Sequence, residues 1–87
     1  MNLNIGGDIL VRKRDIICIM DIDNTSISKK TREFLEKSEK SGRVKYVSFD
    51  SLPKSFILVN ENDDISVYIS PLLSSTLYKR YLHGFSR

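Results

Sequence analysis

Apolar and polar positions are most clearly ordered between Ser55 and Arg80, SFILVNENDDISVYISPLLSSTLYKR. Phe56, Ile57, Leu58 and Val59 form an unbroken apolar run, which predicts a strand covered on both faces. Asn60, Glu61, Asn62, Asp63 and Asp64 do not suit a core and favour turn geometry, so they predict a hairpin loop. Ile65, Val67 and Ile69 then alternate with Ser66, Tyr68 and Ser70, a period of two that predicts a half-buried strand. Ser70 can cap the amides that follow it, and Pro71 suits a first helical position because its missing N–H would find no partner there. The chain is therefore expected to turn from strand to helix at Ser70 to Leu72 and to stay helical to about His83. In that helix Leu73, Leu77 and Tyr81 fall at i, i+4 and i+8 with Tyr78 beside them, so one stripe packs while Lys79 and Arg80 remain in water. Gly84 to Arg87 reads as a frayed tail.

Towards the start of the chain, Leu3 and Ile5 predict a short strand, Gly6-Gly7 a tight turn and Ile9-Leu10-Val11 a returning strand. No helix or Gly-Lys-Ser/Thr element follows the glycine pair, so a turn is preferred to a phosphate cradle. A third strand is expected from Asp15 to Ile22, with Ile16, Cys18, Met20 and Ile22 on one side and Ile17 and Ile19 on the other. Both faces are apolar. One face can meet the helices, and the other must meet either more chain or another subunit, of which the subunit is favoured in so short a chain. Asn24 to Ser28 is a polar linker in which Ser26 or Ser28 should open a helix that ends at Ser41-Gly42. Thr31, Phe34, Leu35 and Ser38 form its narrow inner stripe, anchored by Phe34 and Leu35. Its outer face carries Glu33 and Lys37, and Glu36 and Lys40, as i,i+4 pairs worth about 0.2–0.5 kcal/mol each. Such mixed charge repels as much phosphate as it attracts, so this is not expected to be a recognition helix. Arg43 to Phe49 alternates as a further strand, and Asp50 to Lys54 turns the chain, since Pro53 disfavours a ladder. The order βββ-α-βββ-α predicts an α+β domain with a mainly antiparallel sheet.

At 87 residues the chain is expected to be a single domain. It should bury only about 60–65% of its unfolded surface, a thin margin unless association adds burial. Cys18 is the lone cysteine, flanked by isoleucines, and reads as a small buried hydrophobe in a reducing compartment. No apolar run approaches the roughly 20 residues of a membrane span, and Met1-Asn2-Leu3-Asn4 lacks a charged leader start, so a soluble, cytoplasmic protein is expected. Asp15, Asp21, Asp23 and Asp50 lie in different elements, and the only histidine, His83, is far along the chain. No metal centre is expected from them. One cysteine, one histidine and scattered acids also make no nucleophile–base constellation, so neither an enzyme nor a cofactor is predicted. The net charge of +3 permits nucleic-acid binding without establishing it. Arg12-Lys13-Arg14, at the junction of the second and third strands, is the densest cationic cluster.

The run YISPLLSSTLYKR, after KSFILV, closely resembles the strand, Ser-Pro step and terminal helix of the RemA/RemB family of small bacterial regulators, particularly its RemB branch. Asn4-Ile5-Gly6-Gly7-Asp8 resembles the family's opening, and Lys30 to Glu36, KTREFLE, its first helix. Together these stretches run from near Met1 to near Tyr81. The resemblance implies a fold like the LytTR-type DNA-binding module, assembly into rings, and transcription regulation of extracellular-matrix or biofilm genes. The partners it implies are double-stranded DNA and further copies of the chain, with no membrane and no small-molecule substrate. Arg14 matches a basic position before the third strand in the RemA branch, so it is the expected phosphate contact, with Arg12 and Lys13 assisting and Lys54 contributing from the hairpin loop. In the RemA branch the loop equivalent to Asp50 to Lys54 is arginine-rich, whereas here only Lys54 is positive. A structural alternative pairs Arg14 with Asp15, worth about 0–1 kcal/mol. The alternative function is an oligomeric scaffold or accessory subunit without DNA affinity of its own.

Overall fold

Among the described residues, six strands and two helices follow one another in the predicted βββ-α-βββ-α order. They are β1 (Asn2–Gly6), β2 (Ile9–Arg12), β3 (Ile16–Asp21), α1 (Lys29–Lys40), β4 (Val44–Tyr46), β5 (Ser55–Glu61), β6 (Asp64–Ser70) and α2 (Ser74–His83), with a 3-10 turn at Lys13–Asp15 joining β2 to β3. The structure, a computed structural model, describes residues 1–22, 28–48 and 50–83. The expectations for Asp23, Ser26, Phe49 and the tail from Gly84 lie outside the described residues.

A four-stranded sheet in the order β3-β5-β6-β4 is antiparallel except where β4 runs parallel to β6, and β1 and β2 form a separate antiparallel hairpin. The continuous run in β5 explains the layering. Ile57 and Val59 face a core shared with Ile19 of β3, Leu3, Ile5 and Val11 of the hairpin, and Leu77 of α2. Phe56 and Leu58 face the other way, into a core shared with Val67, Cys18 and Met20 and with Phe34 and Leu35 of α1. Hairpin and α2 therefore cover one face and α1 the other. Each fully buried aliphatic side chain contributes about 1.5–3 kcal/mol.

That layering corrects several expectations. The chain itself covers both sheet faces, so no second subunit is needed to cover either. The β3–β5 register shifts between Ile16 and Cys18, leaving Ile17 as an extra residue. This bulge puts Ile16 with Ile19 on the first face and leaves Ile17 51% exposed, where strict alternation grouped Ile16 with Cys18. The polar stretch after β5 is mostly ladder: Asn60 pairs with Ile65 and Glu61 with Asp64, and only Asn62 and Asp63 form the turn.

α2 begins at Ser74 rather than at Leu72. Ser70 does accept from an amide that follows it, that of Leu72 at 3.0 Å, while its hydroxyl donates to the Ile5 carbonyl at 2.6 Å, but the helix opens only four residues later. Leu73 consequently precedes the helix and is exposed, and Arg80 is half-buried instead of wet. In α1, Ser28 caps the Thr31 amide as expected, but Glu33–Lys37 and Glu36–Lys40 do not close as ion pairs.

Candidate nucleic-acid interface

The basic cluster occupies the end of β2 and the 3-10 turn, and its three cations are used in three different ways. Arg12 reaches across the turn to Asp15, with Nε 3.4 Å from Oδ2. Lys13 is anchored twice: its amide donates to the Met1 carbonyl at 2.9 Å, and its ammonium donates to the Tyr81 carbonyl at 2.6 Å. The same ammonium lies 5.2 Å from the centre of the Tyr81 ring. Arg14 is exposed and, among the described residues, makes neither an ion pair nor a hydrogen bond. The alternative pairing of Arg14 with Asp15 is not formed, because Asp15 is held by Arg12.

Lys54 is not part of this cluster. Asp21 pairs with Ser55 and Ile16 with Val59, so Lys54 and Arg14 lie at opposite ends of β3. At about 3.3 Å per residue the separation is roughly 15–20 Å. Nor does Lys54 sit in the hairpin loop. It precedes β5, where its amide donates to the Ser70 carbonyl at 2.9 Å and its carbonyl accepts from the Ile22 amide at 3.0 Å. The neighbours of the cluster are acidic instead: Arg12 and Asp15 line a depression with Glu61 and Asp63 at the β5–β6 turn. A phosphate approaching on that side would meet repulsion, which leaves Arg14 as the exposed cation of the turn.

Several other cations are neutralised within the fold, which residue spacing did not reveal. Arg43 pairs with Asp64 at 3.0 Å and Lys45 with Glu61 at 3.1 Å. The Glu61 carboxylate also accepts from the Tyr68 hydroxyl at 2.8 Å, and the Lys45 ammonium lies over the Tyr68 ring. Burial opposes ionisation of Glu61, but hydrogen bonds from Ser66, Tyr68 and Lys45, with the Lys45 charge, outweigh it and hold the carboxyl below its ordinary value. Arg80 donates to the Asn4 carbonyl at 3.1 Å, which fastens α2 to β1 across 76 positions of sequence. The only signal for such pairs is three-dimensional, since no local pattern links their partners. Burial pushes the Cys18 thiol up, against a smaller opposing hydrogen bond with the Leu58 backbone, so its nucleophilic thiolate is disfavoured.

Among the described residues no three His, Cys, Asp or Glu side chains gather as a metal site, and no helix is long and apolar enough to cross a membrane. A family model described as RemA-like, extracellular matrix regulatory protein A-like, matches residues 3–81, a span that includes the basic turn and most of α2. The chain is also similar to extracellular matrix regulatory protein B of Bacillus subtilis (strain 168), 38% identical over 81 residues that cover 92% of this chain and 89% of that protein. On these matches the chain belongs to the RemA-like family, in its RemB branch.

Proposed function

We propose that this protein regulates extracellular-matrix and biofilm gene expression as a DNA-associated oligomer, with Arg14 as the principal phosphate contact of each copy. The observation that carries the reading is the isolation of Arg14: in a turn whose other cations are tied down, it is exposed and without an ionic partner among the described residues. The name of the Bacillus subtilis relative supports the matrix-regulatory part. One arginine per copy is too little for tight binding, but several copies in one assembly would engage several phosphates at once. Binding of this kind follows the backbone and reads little sequence, because base discrimination needs side chains fixed against groove edges. Lys54 joins only if the nucleic acid runs along the length of β3. The reading needs no catalytic step.

A second reading, an oligomeric scaffold without DNA affinity, is favoured by the neutralisation of Arg12, Arg43 and Lys45 by acids. Mobility shift on double-stranded DNA at two salt concentrations separates the two. Under the first reading, Arg14→Ala weakens binding to all sequences alike and flattens the log–log salt dependence by about 0.9 for each phosphate no longer neutralised, multiplied by the copies engaged. Equal binding by parent and variant at both salts removes Arg14 as a contact. Failure of the parent to bind at low salt leaves the scaffold.

A further inference from the structure

Lys13 joins three parts of the chain that are remote in sequence. Its amide is bonded to Met1 just before β1, and its ammonium is bonded to Tyr81 in the last turn of α2. The final carbonyls of a helix lack intrahelical amide partners and carry the negative end of the macrodipole, so a cation there satisfies both a hydrogen-bond and an electrostatic demand. The Tyr81 ring, 5.2 Å away, attracts the same ammonium. These contacts hold the ammonium at the α2 terminus and leave only its remaining N–H donors for an incoming phosphate. On the far side of the turn, Arg12 and Asp15 close a second strut. Arg14 lies between the two supports.

We infer that Lys13 is a positioning residue: it fixes the 3-10 turn against α2 so that Arg14 stands ready for phosphate, and it is not itself a phosphate contact. This rests on the DNA reading of Arg14 given above. The benefit is preorganisation, since a turn already ordered loses less freedom when DNA arrives. Assigning this role to Lys13 also accounts for a cation beside Arg14 whose ammonium is already engaged with α2.

A double-mutant cycle tests it, using a double-stranded DNA fragment over a range of salt and the parent, Lys13→Ala, Arg14→Ala and the double variant. A residue that acts through Arg14 gives non-additive losses. Lys13→Ala should weaken binding, and the double variant should bind within about twofold of Arg14→Ala with the same salt slope. A further loss in the double variant, with the slope flattened by about another 0.9 per copy engaged, would make Lys13 a contact and overturn the inference. Hydrogen exchange provides a reading independent of DNA. In Lys13→Ala the amides from Arg14 to Ile16 should exchange about tenfold faster while those of β5 stay protected. Unchanged exchange in the turn overturns the positioning role. If β5 also loses protection, Lys13→Arg decides: it keeps a cation at the α2 terminus and should restore turn protection, and failure to do so overturns the role. A parent that binds no DNA refutes the DNA reading, and the exchange measurement still decides whether Lys13 holds the turn.

Discussion

Among the described glycines, Gly6 is the one at which a side chain would meet close neighbours. Its φ of +132° is a conformation that side chains rarely adopt, and a Cβ there would stand 2.9 Å from Val47 Cγ1 and 3.4 Å from Pro71 Cδ. Gly7 also has positive φ, at +53°, but has open space around it. Gly6→Ala should therefore cost about 1–3 kcal/mol, combining strain with overpacking, and Gly7→Ala about 1 kcal/mol from conformation alone. Urea unfolding of both variants measures the difference, and equal losses would mean that the Val47 side chain yields freely. Glu61 makes a prediction in pH. Its folded pKa lies below its unfolded one, so its contribution is complete above the unfolded value and is lost as pH falls through the folded value. The pair with Lys45 is partly exposed, with side chains 34% and 52% accessible, which limits it to about 1 kcal/mol. In melts from about pH 7 down to about pH 3, Glu61→Gln should start less stable and lose stability less steeply than the parent.

The β5–β6 hairpin shows what side-chain pattern conceals at the scale of an element. Polarity marked Asn60 to Asp64 as loop, but ladder bonds are made by the backbone, so the strands run on to Glu61 and Asp64. Asn62 and Asp63 alone make the turn, with φ of 52° and 66°, the left-handed pair that a two-residue hairpin requires. Asp63→Gly should relieve strain and stabilise the protein by roughly 0.5–1 kcal/mol, read as a raised urea midpoint with unchanged slope. Other elements were legible because their signals are local. Ser28 caps α1, Phe34 and Leu35 anchor it, and Gly42 at φ 72° follows it as a left-handed residue should. Illegible features depend on partners: the bulge at Ile17 lies in the pairing with β5, and Ser70 donates to the carbonyl of Ile5, 65 positions away.

The same division governs the candidate site when the whole molecule is considered. The basic cluster is visible in the sequence and the family resemblance singles out Arg14 within it, but Lys54 is carried to the opposite end of β3, and Arg12 and Lys13 make contacts within the fold. Sequence adjacency records where charges enter the chain, not which of them already hold a partner. The proposed oligomer has its motive in the surface rather than in an uncovered sheet face. Among the described residues β3 is an edge strand of the sheet, its Ile19 carbonyl taken by the Tyr78 hydroxyl at 2.8 Å, and beside it Ile17, Tyr78 and Tyr81 line a groove, with Leu82 of α2 75% exposed. Light scattering at micromolar concentration should report a mass above the 10.0 kDa of one chain. A concentration-independent monomer would remove this part of the proposal.

The core beneath the hairpin is built from both ends of the chain: Leu3 and Ile5 meet Leu77, Ser70 bonds to Ile5, and Arg80 bonds to Asn4. Bringing such distant segments together is entropically expensive and slow, and it fixes an order of events during synthesis. The β1–β2 hairpin leaves the ribosome well before α2 and lacks that lid until α2 follows. Through that interval Leu3, Ile5 and Val11 present apolar surface to other nascent chains and to chaperones. A chain stopped short of Ser74 would retain every strand of the sheet and still lack the helix that closes this core.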